Sequence, residues 1–538
     1  MTSRTPCLDI LAALAVLAIF ASCKPGDAGR DAAVRAPKVL SVAIWEPETI
    51  DPGLAGEESG ITIAAALFEG LVRRPAGEGP ARPGVASSWE SSADRLTWTF
   101  HLRPDARWSD GRPVTAGDFD YAWRRVLDPA SGARLVAQLY VIDGAEEVHA
   151  GRAPALRLGV RALDATTLEV RLRVPTVDFP GRLAHPVFAP VRADVIAREG
   201  ARWTRPGSLI GNGAFRLDAF QPGDRAVLTR NPSGRSTALD GVTFHFLSGE
   251  RLAYEWFAAG KVHWLKGTLS RDRIPEMRKT RPAEFHSDPV LCTGYVALRV
   301  DRPPLDDPRV RRALDMSVDK ERLVREVLMG GQPPARSFVP PEIATPTGYV
   351  PPAGSGFDPV HARTLLDEAR RAHGALAPLS YVYNSGEANK VIAEFLQAQW
   401  KENLGLDVSL EATEWKSLLA RVRKGDYGMA RASWCADVVD PLNFLEILRT
   451  GAPSNYPGFS DPEVDRRLEA ARVEGGPEAR NALLQLAETR MLDAAPMIPL
   501  YHFTRIYLLS PRVRGFQKNL LDVHPLEDLD LADAPAAD

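Results

Sequence analysis

Hydrophobic and polar residues alternate in three short stretches of the first third of the chain. Leu40, Val42 and Ile44 share one face of 40–45; Leu96, Trp98, Phe100 and Leu102 do so in 96–103; Leu168, Val170 and Leu172 repeat the pattern in 167–174. A period of two predicts half-buried strands. Elsewhere the spacing lengthens to that of a helix. Phe119, Ala122, Trp123 and Val126 fall at i, i+3, i+4 and i+7, behind Thr115 as N-cap and Asp118 at N3. A second helix is predicted to start at Asp307, with Pro308 in its first position. Another follows Asp319, turning Leu323, Val324, Val327 and Leu328 inward, and the spacing fits further helices over 360–373, 389–404, 414–424 and 462–472. Strands interleaved with helices predict an α/β or α+β chain.

The N-terminus changes the picture. The apolar run 10–21 is shorter than the roughly 20 residues that span a bilayer. It fits the apolar centre of a secretory signal. It ends in "FASC", small residues before Cys23, in the manner of a lipobox with Cys23 lipidated; an ordinary signal peptide cut nearby is the alternative. Residues 24–37 carry no periodicity and read as a flexible tether. Export places the mature chain in an oxidising compartment. Cys292 and Cys435 are then the two cysteines left, read as a disulfide or, alternatively, as two buried thiols. With 45% hydrophobic and 25% charged residues and a net charge of −3, the chain has the composition of a globular protein and no nucleic-acid surface.

Catalytic motifs are missing. There is no G-x-S-x-G, H-E-x-x-H or Walker loop, and "GNGAFR" at 211–216 fails as a dinucleotide fingerprint at its last position. His101, His149, His185 and His361 are scattered without metal-ligand spacing. The reading predicts no enzyme, metal or cofactor; a triad assembled from distant residues keeps a secreted hydrolase as the rival class.

Several long stretches, in order along the chain, together resemble one family. "LFEGLV" (67–72), "PGVASSWESSADRLTWTFHLRPDARWSDGRPVTAGDFDYAWRRVLDP" (83–129), "LGVRALDATTLEVRLRVP" (158–175) and "DPRVRRALDMSVDKERLV" (307–324) are similar to the solute-binding proteins of peptide ABC transporters, family 5. "LCTGYVAL" (291–298), "YNSGEANK" (383–390), "EWKSLLARVRKGDYGMARASWCAD" (414–437) and "PMIPLYHF" (496–503) resemble its oligopeptide-binding members. The resemblance implies a mixed α/β, type II periplasmic-binding-protein fold: two lobes and an additional third domain. The implied boundaries are lobe I at 38–68, 190–291 and 504–538, the extra domain at 69–189, and lobe II at 292–503.

The same resemblance implies a lipid-anchored, monomeric receptor of the periplasm or cell envelope that passes oligopeptides to an inner-membrane ABC permease. A receptor for murein peptide or another small solute is the alternative. Asp437 is implied to pair with the ligand's α-ammonium, and Arg431 to meet its carboxylate. Ser433, Trp434 and Cys435 lie on the same strand, while Trp415, Tyr295, Asn384 and Tyr501 are implied to surround the ligand, with Glu58 near its side chains. The physics suits Asp437: an ammonium enclosed between lobes needs a fixed counter-charge. The chain also departs from the family's oligopeptide binders. Asn389 stands in place of a histidine, and Leu328 and Val422 in place of basic residues, with Arg421 and Arg423 as possible substitutes.

Overall fold

The structure is a computed structural model that describes residues 36–533, apart from 177, 268 and 270. Cys23, the signal segment and most of the tether therefore lie outside the described residues. Among those described, no helix is long and apolar enough to cross a membrane.

A ten-stranded mixed sheet organises the molecule. Its strands run in the order Val408–Thr413, Leu379–Asn384, Met429–Cys435, Phe285–Leu298, Met497–Leu509, Trp264–Lys266, Val39–Ile44, Gly241–Phe246, Arg225–Arg230 and Phe215–Gln221. The two central strands are the long ones. Phe285–Leu298 and Met497–Leu509 pair antiparallel along their length, with register irregularities between Pro289 and Thr293 and again between Gly294 and Tyr295. One end of this ribbon joins the half-sheet built around Val39–Ile44, and the other joins Met429–Cys435. Two lobes thus share one sheet through two crossing strands. A separate four-stranded antiparallel sheet orders Ala86–Ser91, Thr97–Leu102, Thr167–Arg171 and Val160–Ala162.

The strands and the helix predicted from periodicity form where expected. Leu40, Val42 and Ile44 are buried on Val39–Ile44, and Trp98, Phe100 and Leu102 on Thr97–Leu102. Helix Ala116–Leu127 opens with the Asp118 carboxylate accepting from the Thr115 N–H at 2.8 Å. It buries Phe119, Ala122, Trp123 and Val126 against the small sheet's core. A fully buried Phe119 contributes about 1.5–3 kcal/mol, so a charge at that position would detach the helix.

In the second lobe, period two splits the two faces of the sheet. Val296, Leu298, Tyr381 and Met429 face the helices Pro308–Met316, Pro359–His373 and Glu387–Leu404. Tyr295, Ala297, Val382 and Ala430 face Trp415–Lys424, Pro462–Val473 and Pro477–Ala494. The motif "DPRVRRAL" proves to be scaffold. Asp307 caps its helix by accepting from the Arg309 N–H at 2.8 Å. The buried Arg311 guanidinium donates to the carbonyls of Leu305, Asp306, Ala494 and Ala495, which closes the end of helix Pro477–Ala494. After Asp319 the chain makes one short helical turn, then winds wider, in π-helical fashion, over Leu323–Leu328.

Candidate ligand-binding cleft

A cavity of about 550 Å³ opens where three parts of the chain meet: helix Glu58–Leu67 with the segments 505 and 521–527, the segments 68–74 and 184–189, and residues 435–437 at the end of strand Met429–Cys435. That volume lies in the range of small-ligand sites. Its apolar lining includes Ile61, Ala65, Phe68, Val72, Leu521 and Val523. Gly213 lets the backbones touch here, because a Cβ would meet the Ala66 carbonyl oxygen at 2.5 Å. "GNGAFR" is a structural motif: the Asn212 side chain accepts from the Glu69 N–H at 3.0 Å and donates to its carbonyl at 2.9 Å.

The cavity is lined by five acidic side chains, Glu58, Glu69, Asp437, Asp522 and Glu527, and five basic ones, Arg73, Arg74, Arg235, Lys266 and Arg505. Most are paired. Lys266 Nζ lies 3.0 Å from Glu58 Oε1, and Arg505 bridges Glu58 at 3.3 Å and Asp522 at 2.6 Å. His524 adds a contact to Asp522 at 3.1 Å. Burial opposes ionisation of Glu58 and Asp522, yet Lys266 and Arg505 outweigh it and hold both carboxyls below their ordinary values. Across the cavity, Glu69 binds Arg235 at 2.7 Å, and Arg73 reaches Glu527 at 3.1 Å.

Asp437 differs. It follows strand Met429–Cys435 and is exposed to water within the cleft, while the protein that surrounds it raises its carboxyl above the ordinary value, against the pull of Arg182 and Arg74. Its Oδ1 accepts only a long bond from Gln138, at 3.3 Å. Among the described residues, no cation lies in salt-bridge contact with it. The preceding strand is held on one edge by Phe285–Leu298, in a register running from Cys292 opposite Cys435 to Leu298 opposite Met429. On its other edge, Leu379–Asn384 pairs only with Met429 and Ala430. The stretch 431–435, leading to Asp437, thus has a strand on one side only. Cys292 and Cys435 are bonded, with Cα atoms 4.0 Å apart, slightly closer than the usual range.

The structure distributes the residues expected at the ligand. Asp437, Cys435 and Glu58 line the cavity; Glu58 does so already paired. Arg431, Ser433, Trp434, Trp415, Tyr295, Asn384 and Tyr501 do not line it. Arg431 is half-buried, and its charge acts on the Tyr501 hydroxyl. Tyr295 is buried edge-on against Phe338. Ser433 lies opposite Gly294, and Trp415 is exposed at the start of its helix. Trp434 Nε1 and Asn384 Oδ1 are buried polar atoms without a hydrogen-bond partner among the described residues. Asn389 donates to the Asn384 carbonyl at 3.2 Å. Arg421 is engaged with Glu411 and the Asp426 carbonyl. Residue-by-residue reading missed Arg74, Arg182, His185, Lys266, Arg505 and Asp522. The double arginine directly after "LFEGLV" was the one signal available for Arg74.

A two-lobed sheet with a third domain, a cavity where they meet and an unmatched carboxylate within it define a solute-binding protein. Residues 81–456 match the family model for bacterial extracellular solute-binding proteins, family 5. The chain belongs to that family. It is 32% identical over 480 residues to the periplasmic oligopeptide-binding protein OppA of Escherichia coli, covering 88% of each chain. It is 35% identical over 490 residues to the probable deoxycholate-binding periplasmic protein YgiS of the same organism, covering 88% of this chain and 89% of that one. The solved structure of the Escherichia coli murein tripeptide-binding protein MppA superimposes with a TM-score of 0.78 at 33% identity, covering 93% of this chain and 99% of that one.

Proposed function

We propose that the protein is a periplasmic receptor that encloses oligopeptides between its two lobes and delivers them to an ABC importer. One observation carries this reading. The open edge of 431–435 leads directly to the unpaired carboxylate of Asp437. An extended peptide adds to such an edge through its main chain, which gives affinity without selecting side chains. Its α-ammonium then meets Asp437. Ligand binding shifts the open–closed population, and the permease reads closure.

The remaining site residues are proposed as walls of the same cleft: Arg431 toward the ligand carboxylate, and Trp415, Tyr295 and Tyr501 as aromatic surroundings. The lobes are proposed to divide at 38–68, 190–291 and 504–538 against 292–503, with 69–189 as the extra domain. The register irregularity between Pro289 and Thr293 supports the first crossing point. The receptor is proposed to be monomeric, anchored by a lipid on Cys23 and stabilised in its oxidising compartment by the Cys292–Cys435 bond. A murein-peptide receptor is the second reading, favoured by the likeness to MppA.

Native mass spectrometry of the purified protein tests the proposal. Intact peptides should co-purify. Co-purified bile salt without peptide, or cleavage of supplied peptides, would contradict it.

A further inference from the structure

Of the charged side chains lining the cavity, all but two form an ion pair with another side chain. The two are Asp437 and Arg74; among the described residues, neither makes a salt bridge. Arg74 donates from Nη2 to the backbone carbonyl of Asp437 at 3.0 Å, not to its carboxylate. That uses one of a guanidinium's five N–H donors. Arg74 lines the main cavity and a small side void that it shares with Gln138, Arg182, His185 and Asp437.

Asp437 and Glu78 pull on Arg74 electrostatically, but among the described residues neither is in salt-bridge contact with it. Arg182 has its own partner, Asp178, at 3.1 Å. His185 accepts from the Val187 N–H at 3.1 Å, and burial together with Arg74 pushes its pKa down to about 3, which keeps it neutral. Arg74 is half-buried, and the protein around it opposes its charge. A desolvated guanidinium gains most from a bidentate carboxylate.

We infer that Arg74 is a specificity-determining residue that receives a carboxylate carried by the first residue of the bound peptide, beside the α-ammonium held by Asp437. The inference rests on the peptide-receptor reading. Each unpaired wall charge then meets its opposite: ammonium on Asp437, side-chain carboxylate on Arg74. Because Arg74 touches the backbone of Asp437, the two sites are separated by no more than one ligand residue can bridge. A neutral first residue leaves the guanidinium enclosed and unmatched, at a desolvation cost.

The test is calorimetric titration of Glu-Ala-Ala, Gln-Ala-Ala and Ala-Ala against the unmodified protein, Arg74→Met and Arg74→Lys. The unmodified protein should bind Glu-Ala-Ala at least about tenfold tighter than Gln-Ala-Ala, a difference of about 1.4 kcal/mol. Arg74→Met should abolish the ratio by weakening Glu-Ala-Ala while Gln-Ala-Ala binds no worse, because the unmatched guanidinium is gone, and Arg74→Lys should keep part of the ratio. That pattern separates charge recognition from a packing role, which would weaken both peptides alike. Equal affinities in the unmodified protein, or a ratio that survives in Arg74→Met, would overturn the assignment and leave the peptide receptor standing. Loss confined to Ala-Ala would overturn it too, by giving Arg74 to the terminal carboxylate. If none of the three peptides binds, the peptide-receptor reading fails, and this inference fails with it.

Discussion

The two charged walls of the cleft contrast sharply. On one, Glu58, Lys266, Arg505 and Asp522 answer one another at 2.6–3.3 Å, with the Lys266 and Asp522 side chains buried. On the other, Asp437 and Arg74 stand side by side without an ion pair. Both walls are rich in charge, and sequence alone does not tell them apart. The proposed function assigns the answered charges to the fold and the open ones to a ligand.

The largest effect should come from breaking the closed wall. Lys266→Met removes a buried cation and leaves the Glu58 and Asp522 carboxylates to Arg505 alone, which should cost about 3 kcal/mol, the low end of the range for breaking a buried pair. Urea unfolding should show that loss; undiminished stability would erase the contrast. The open wall should behave the other way. Asp437→Ala should weaken peptide binding by about 2–5 kcal/mol, the range for truncating one member of an enclosed charge pair. Its unfolding free energy should stay close to that of the unmodified protein.

A third carboxylate sharpens the comparison, because it is buried with no cation in salt-bridge contact among the described residues. Glu488 accepts from the N–H groups of Phe338 and Val339 at 2.8 and 2.9 Å and from the Tyr349 hydroxyl. Burial nonetheless pushes its pKa from 4.5 up to about 7. The folded state therefore binds the extra proton between these values. The contribution of Glu488 to unfolding free energy should be greatest below about pH 4.5 and fall as pH rises through about 7, by about 3 kcal/mol. Glu488→Gln should remove that slope in pH-dependent unfolding; a slope unchanged in the variant would show that other groups produce it. The smallest effect concerns ligand length. If Arg431 meets the carboxylate, tri-alanine should bind tighter than penta-alanine by up to about 1.4 kcal/mol. Arg431→Ala should erase the difference, and a preference for the longer peptide would refute it.

Periodicity made helix Ala116–Leu127 legible, because its cap and apolar face are local and uninterrupted. It did not reveal helix Pro477–Ala494, where Glu488 sits among the buried Leu484, Ala487 and Met491 and breaks the apolar face. At the site, Asp437 was legible only through the resemblance, since an aspartate after a strand ordinarily serves a turn. Of the closed wall only Glu58 was legible, and only through the resemblance. Glu58, Lys266, Arg505 and Asp522 come from distant parts of the chain, and only the sheet topology brings them together. Arg74 was visible as half of a double arginine, but nothing local showed that its neighbour Arg73 is paired and it is not.

The central claim is that Asp437 is open because a peptide amine closes it. The direct measurement is calorimetry with tri-alanine and N-acetyl-tri-alanine against the unmodified protein and Asp437→Ala. The account predicts that acetylation costs the unmodified protein about 2–5 kcal/mol and costs Asp437→Ala almost nothing. Equal affinity of the unmodified protein for the two peptides would show that Asp437 does not read the amine.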